Sequence, residues 1–100
     1  MIKTVRIDFS SGRVVATPGA LGALQNAGQF PREFLDRHAS GDWGDLSEGD
    51  RQLNDEAVKD GSRIFSSYAI RGGQTIWIIT EAADEHCQRA ATTILLPEEY

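Results

Sequence analysis

Cysteine is nearly missing from this sequence. Cys87 is the only one, so no internal disulfide can form, and a reducing cytoplasm is the expected setting. It lies between Glu85-His86 and Gln88-Arg89 with no activating base beside it, which reads as an incidental thiol. Histidine is almost as scarce, with only His38 and His86, and no His or Cys pair has zinc-ligand spacing. Asp42, Asp45, Glu48 and Asp50 lack the regular alternation and closing bidentate acid of a calcium loop. No metal and no cofactor are therefore expected. No apolar run approaches the roughly 20 residues of a membrane span, and Met1 to Arg6 alternates like a strand rather than forming the apolar core of a signal peptide. No membrane association is expected. Ser10, Ser66 and Ser67 sit in no nucleophile-elbow context, and no glycine-rich loop leads into a helix as a phosphate cradle would.

Clustered positive charge is also absent. The net charge is −5, and its distribution is uneven. Residues 1–37 carry five cations and three anions, residues 38–60 two and seven, and residues 61–100 three and five. Binding along a phosphate backbone needs a basic surface, so the sequence argues against direct nucleic-acid contact. The acidic middle suits either solvation or a basic protein partner, although −5 over 100 residues is mild for a DNA mimic.

What is present has the composition of an ordinary globular domain, 40% apolar and 25% charged, on a chain long enough for one modest core. Residues 2–9 alternate Val5, Ile7 and Phe9 against Thr4, Arg6 and Asp8; Ser10 to Gly12 make a turn, and Arg13 to Ala16 read as the returning arm of a β-hairpin. Thr17-Pro18 starts a helix whose Ala20, Leu21, Leu24 and Ala27 recur at helical spacing until Gly28 stops it. Pro31 opens a second helix, with Phe30, Phe34, Leu35 and His38 on one stripe and Gly41 ending it. Ser47 to Asp50 match a capping pattern for a third helix, about Glu48 to Asp60, that would bury Leu53, Ala57 and Val58.

The final third is β. Arg63 to Arg71 and Gln74 to Glu81 flank Gly72-Gly73, a two-residue hairpin signal that makes facing positions sum to 145 and sets Tyr68 opposite Trp77. Both faces of that hairpin are apolar, so it should be central and covered by helices. Residues 82–90 form a polar connection, and Thr92 to Leu96 a last strand ended by Pro97. The expected fold is one α+β domain over residues 1–100. It has an N-terminal β-hairpin, three short helices and then a three-stranded antiparallel meander, forming one helix-covered sheet.

From Val14 to Tyr100 the chain resembles a family of small uncharacterised bacterial proteins, often labelled plasmid-related. The matching stretches are Val15 to Leu21, Arg37 to Leu46, Ile76 to Ala82 and Thr92 to Tyr100; the pattern departs between Ala83 and Ala91. The resemblance implies a bacterial origin and a link to mobile DNA, and it implies no activity.

The stretch from His38 to Leu46 is the densest in chemically specific residues. His38 and Asp42, four apart across a helix end, are the candidate catalytic pair, with the carboxylate folding back to orient the imidazole. Capping, core filling by Trp43 and turn formation by Asp42 and Asp45 account for the same residues without catalysis. Asp42, Trp43, Asp45, Glu48 and Asp50 are candidate partner-binding residues, and Tyr68, Trp77 and Glu81 are secondary candidates on the sheet. Two functions remain open. One is a non-enzymatic protein-interaction or regulatory domain using the acidic corner around Trp43. The other is a small ribonuclease-like phosphodiesterase centred on His38, with Arg71 or Arg89 on the phosphate and an aromatic for base stacking. Exposed sheet edges leave room for a homodimer.

Overall fold

The computed structural model describes residues 11–100. Strand β1 (Arg13–Ala16) leads into helices α1 (Pro18–Ala27), α2 (Pro31–Ala39) and α3 (Glu48–Asp60). Strands β2 (Ile64–Ala69), β3 (Thr75–Thr80) and β4 (Ala91–Leu95) follow, then a short 3-10 turn, η1 (Pro97–Glu99). No helix among the described residues is long and apolar enough to cross a membrane.

The helices begin and end where local chemistry dictates. The Thr17 hydroxyl accepts the Ala20 amide at 3.1 Å, Pro18 occupies the first turn, and Gly28 closes α1 in the left-handed conformation. Helix α3 repeats the logic, with Ser47 accepting the Asp50 amide at 3.2 Å and Gly61 at its end. Its inward face differs from expectation. Leu53 is 63% exposed, while Asn54 is buried beside Ala57.

The sheet is four-stranded and mixed, in the order β1-β4-β3-β2. β2, β3 and β4 form the expected antiparallel meander. The N-terminal hairpin is corrected: its first arm, residues 2–9, lies outside the described residues, and β1 is a single strand paired in parallel with β4, Arg13 to Ala16 alongside Ala91 to Ile94. A parallel neighbour requires a long crossover, which the three helices and the β2–β3 hairpin supply. β4 is thereby central.

The β2–β3 register is also corrected. Facing positions sum to 144, so Tyr68 lies opposite Ile76, and Ser67 opposite Trp77. The turn closes between Ile70 and Gln74 through an Ile70 amide to Gln74 carbonyl bond of 2.9 Å, leaving three loop residues, Arg71, Gly72 and Gly73. Gly72 and Gly73 adopt φ of 89° and 96°, which a side chain would resist. A one-residue shift reassigns every side chain across the sheet. Ile64, Ser66, Tyr68, Ile76, Ile78 and Thr80 therefore share the helix-covered face. Phe65, Trp77 and Ile79 share the other with Thr93 and Leu95.

The main core joins the helix stripe of Ala20, Ala23, Leu24 and Phe34 to Tyr68, Ile70, Ile76, Ile78, Ile94 and Leu96. A smaller cluster of Trp43, Ala57 and Ile64, flanked by Leu46 and Val58, sits under α3.

Candidate functional site

The stretch joining α2 to α3 lies against the outer edge of β2. The Ser67 amide donates to the Trp43 carbonyl at 3.1 Å, and the Asp45 amide donates to the Ser67 carbonyl at 2.7 Å, so Gly44 forms a parallel bridge with Ser67. Next along the same edge, Asn54 exchanges both amide bonds with Phe65. Its Nδ2 donates to the carbonyl at 2.5 Å, and its Oδ1 accepts the amide at 3.1 Å. An edge strand otherwise presents unpaired backbone groups, and these two devices close it. The inward turn of Asn54, at the expense of Leu53, follows from that need. Gly44 has φ of 75°, and a Cβ there would stand 2.0 Å from the Ser67 carbonyl oxygen, so only glycine allows the approach.

His38 lies beneath this edge, 1% exposed. Its Nδ1 is 2.5 Å from Ser66 Oγ and its Nε2 is 2.8 Å from Thr80 Oγ1; Thr80 Oγ1 is in turn 2.8 Å from Thr92 Oγ1. Thr92 donates its hydroxyl to the Ser11 carbonyl at 2.7 Å, and this fixes the direction of the chain. Because a carbonyl only accepts, Thr92 receives from Thr80, Thr80 receives from Nε2–H, and Nδ1 receives from Ser66. The imidazole is the neutral Nε2–H tautomer. Burial, with a further push from the Arg89 charge, lowers its pKa from 6.5 to about 4. Both ring nitrogens are within hydrogen-bond reach of hydroxyls among the described residues. The ring also packs edge-on against Trp43, with centroids 5.7 Å apart.

Asp42 does not fold back onto the imidazole. It accepts from Arg37 Nε at 2.7 Å and from the Gly44 amide at 3.2 Å, while the Arg37 guanidinium lies 4.5 Å from the centre of the Tyr68 ring. The Arg37 hydrogen bond holds the Asp42 carboxyl below its usual range. Tyr68 donates its hydroxyl to the Asp42 carbonyl at 2.6 Å, and burial pushes its pKa up to about 12. Trp43 is 4% exposed, with its indole N–H donated to Asp55 at 3.0 Å. Arg51 clasps the same loop through the Leu46 carbonyl at 3.2 Å and the Gly44 carbonyl at 2.9 Å. Of the sequence-derived contact residues, Trp43 and Asp42 thus hold the loop together, and Asp45, Glu48 and Asp50 face solvent.

The secondary candidates divide between the two faces of the sheet. Tyr68 is buried under the helices against Phe34, at 5.5 Å between ring centres. Trp77 lies on the opposite, open face, between Phe65 at 5.0 Å and Tyr100 at 5.8 Å. Arg63, which the sequence did not single out, donates to the Tyr100 hydroxyl at 2.8 Å. Two adjoining depressions lie here. One of about 140 Å³ is lined by Arg63, Phe65, Trp77, Ile79 and Tyr100. A larger one of about 260 Å³ is lined by Glu81, Thr93, Leu95 and Glu99 together with Arg63, Ile79 and Tyr100. Glu99 accepts the Thr17 hydroxyl at 2.6 Å and the Leu96 amide at 2.8 Å, and these bonds lower its pKa. The signal that could have found this group is the alternation of Arg63, Phe65, Trp77 and Ile79, once the register is right.

Arg89, 5% exposed, donates to the carbonyls of Ser62 at 2.7 Å, Glu81 at 3.0 Å and Ala57 at 3.0 Å, tying the end of α3 to the polar connection. Its head group is occupied by backbone rather than presented to a phosphate. Among the described residues no three His, Cys, Asp or Glu side chains stand where they could hold a metal ion. Every buried side-chain nitrogen or oxygen among those residues has a hydrogen-bond partner.

No protein-family model, curated protein or solved structure matches this chain.

Proposed function

We propose that the protein is a non-enzymatic protein-interaction or regulatory domain that offers the carboxylates of its α2–α3 corner to a basic partner. The observation that carries this reading is the division of labour within residues 42–50. The backbone there is pinned by Ser67, Arg51 and the Trp43–Asp55 bond, and Asp45, Glu48 and Asp50 project outward from it. A rigid loop loses little entropy on binding, which favours recognition by fixed charges. Residues 38–60 carry seven anions against two cations, so the neighbouring face of α3 adds to the same potential. Leu53, 63% exposed on that face, offers an apolar contact among the acids.

The bacterial mobile-element setting rests on the sequence resemblance alone. Phosphodiester cleavage at His38 finds no support in the geometry, because the imidazole is enclosed and both nitrogens are held by hydroxyls.

The test is a comparison of wild type with a variant carrying Asp45→Asn, Glu48→Gln and Asp50→Asn, used as baits in lysate of a bacterial host. The variant should keep its fold and lose the partner retained by wild type, and that partner should be released from wild type by moderate salt. Recovery of the same proteins by both baits would remove the corner from the contact surface.

A further inference from the structure

The two edges of the sheet are finished differently. At the β2 edge Gly44 bridges to Ser67 and Asn54 exchanges bonds with Phe65, so the backbone there is already engaged. At the opposite edge β1 has β4 on one side and, among the described residues, no strand on the other. The Arg13 amide donates to the Ala90 carbonyl at 3.0 Å, and the Thr17 amide to the Ile94 carbonyl at 2.9 Å. In a parallel ladder of that register, Arg13 and Val15 turn their backbone groups toward β4, and Val14 and Ala16 turn theirs outward. The outward amides and carbonyls of these two residues form a template for a further strand.

The side chains point the same way. Edge strands are ordinarily guarded by charge or proline, yet β1 reads Arg-Val-Val-Ala. Its valines lie on opposite faces of the sheet, and Val14 is 49% exposed and Val15 39%. From residue 11 to residue 27 the only charged side chain is that of Arg13, in a chain that is 25% charged. Depletion of charge around exposed apolar residues marks the centre of a protein interface. The acidic corner sits at the β2 edge, so two copies of a chain with net charge −5 repel least when they meet through β1.

We infer that β1 is a homodimer interface, where the β1 strands of two copies pair antiparallel about a two-fold axis at Val15. That register sets Val14 opposite Ala16 of the second copy, and Ala16 opposite its Val14, so every outward amide and carbonyl of the two residues finds a partner. Val15 meets its own counterpart on the axis. Arg13 faces Thr17 of the second copy rather than another arginine. The two sheets become one, with an acidic corner at each far end. This interface is independent of the corner, and either can fail without the other.

Sedimentation of the full chain from micromolar to millimolar concentration should show a reversible monomer–dimer equilibrium. Val15→Lys and Val15→Glu should each weaken it about tenfold or more, because like charges then meet on the axis. An equimolar mixture of the two variants should recover a dimer, with lysine opposite glutamate. Hydrogen exchange of the wild type supplies a reading that needs no substitution. The Val14 and Ala16 amides should become protected only at dimer-forming concentrations, whereas the Arg13 amide, bonded to Ala90, should be protected throughout. A chain that stays monomeric at millimolar concentration would overturn the assignment. So would Val14 and Ala16 protection that does not depend on concentration, as pairing within one chain would give, or a mixture that associates no better than its parts.

Discussion

The α2–α3 corner and the open sheet face each hold a tryptophan, an arginine and carboxylates, yet they use them in opposite ways. At the corner the chemistry is turned inward. Trp43 packs beneath α3, Arg37 is spent on Asp42 and Tyr68, and His38 closes a chain of hydroxyls running to the Ser11 carbonyl. On the open face Trp77 and Tyr100 stay partly in solvent, and the Glu81 carboxylate has no partner among the described residues. The corner's histidine, tryptophan and arginine therefore hold the fold, and its acids Asp45, Glu48 and Asp50 remain exposed.

Substitution of the two tryptophans gives the widest separation. Trp43→Ala should cost about 4 kcal/mol in urea denaturation, as for a large aromatic removed from a core, whereas half-buried Trp77→Ala should cost less than about 2 kcal/mol. Equal losses would erase the distinction between the regions. Gly44→Ala comes next, at about 3 kcal/mol, since the new Cβ meets the Ser67 carbonyl and φ is positive.

The pH dependence has a comparable size and a definite sign. His38 has a folded pKa of about 4 against 6.5, so between those values the unfolded chain binds more protons. Stability attributable to His38 is full above pH 6.5 and declines as pH falls toward 4, by roughly 3 kcal/mol in total. The depressed carboxyls of Asp42 and Glu99 add their own losses only below their ordinary values near 4. The gap between the denaturation midpoints of wild type and His38→Gln should narrow as pH falls from 6.5 toward 4, with the variant showing the flatter dependence.

Asn54→Ala should cost about 2 kcal/mol by leaving the Phe65 amide and carbonyl without partners at the sheet edge. The corner acids Asp45, Glu48 and Asp50 should be the mildest, each within about 0.5 kcal/mol on neutralisation. A large loss there would mean that they too are structural.

The helices were readable because their signals are local: Thr17, Pro18, Gly28, Ser47 and Gly61 act within a turn of their own positions. Trp43 and Asp42 were open both to partner contact and to a structural role, and only the fold, which packs Trp43 with Ala57 and Ile64 and pairs Asp42 with Arg37, shows where they sit. The pairing of β1 with β4 joins residues nearly the whole chain apart, and nothing near Arg13 announces it. The hairpin slipped by one because Gly72-Gly73 fits a two- or a three-residue loop, and apolar residues on both faces left alternation unable to choose. Asn54 replaced Leu53 for a reason visible only in three dimensions, the unpaired edge of β2. Arg63 and Tyr100, 37 positions apart, meet only once that register is correct.

The most direct measurement is a nitrogen-15 NMR titration of the His38 imidazole. The structure requires a neutral ring protonated at Nε2 that stays neutral until the pH approaches about 4. An imidazole titrating near 6.5, or carrying its proton on Nδ1, would contradict the closed hydroxyl chain and return His38 to the list of groups available for chemistry.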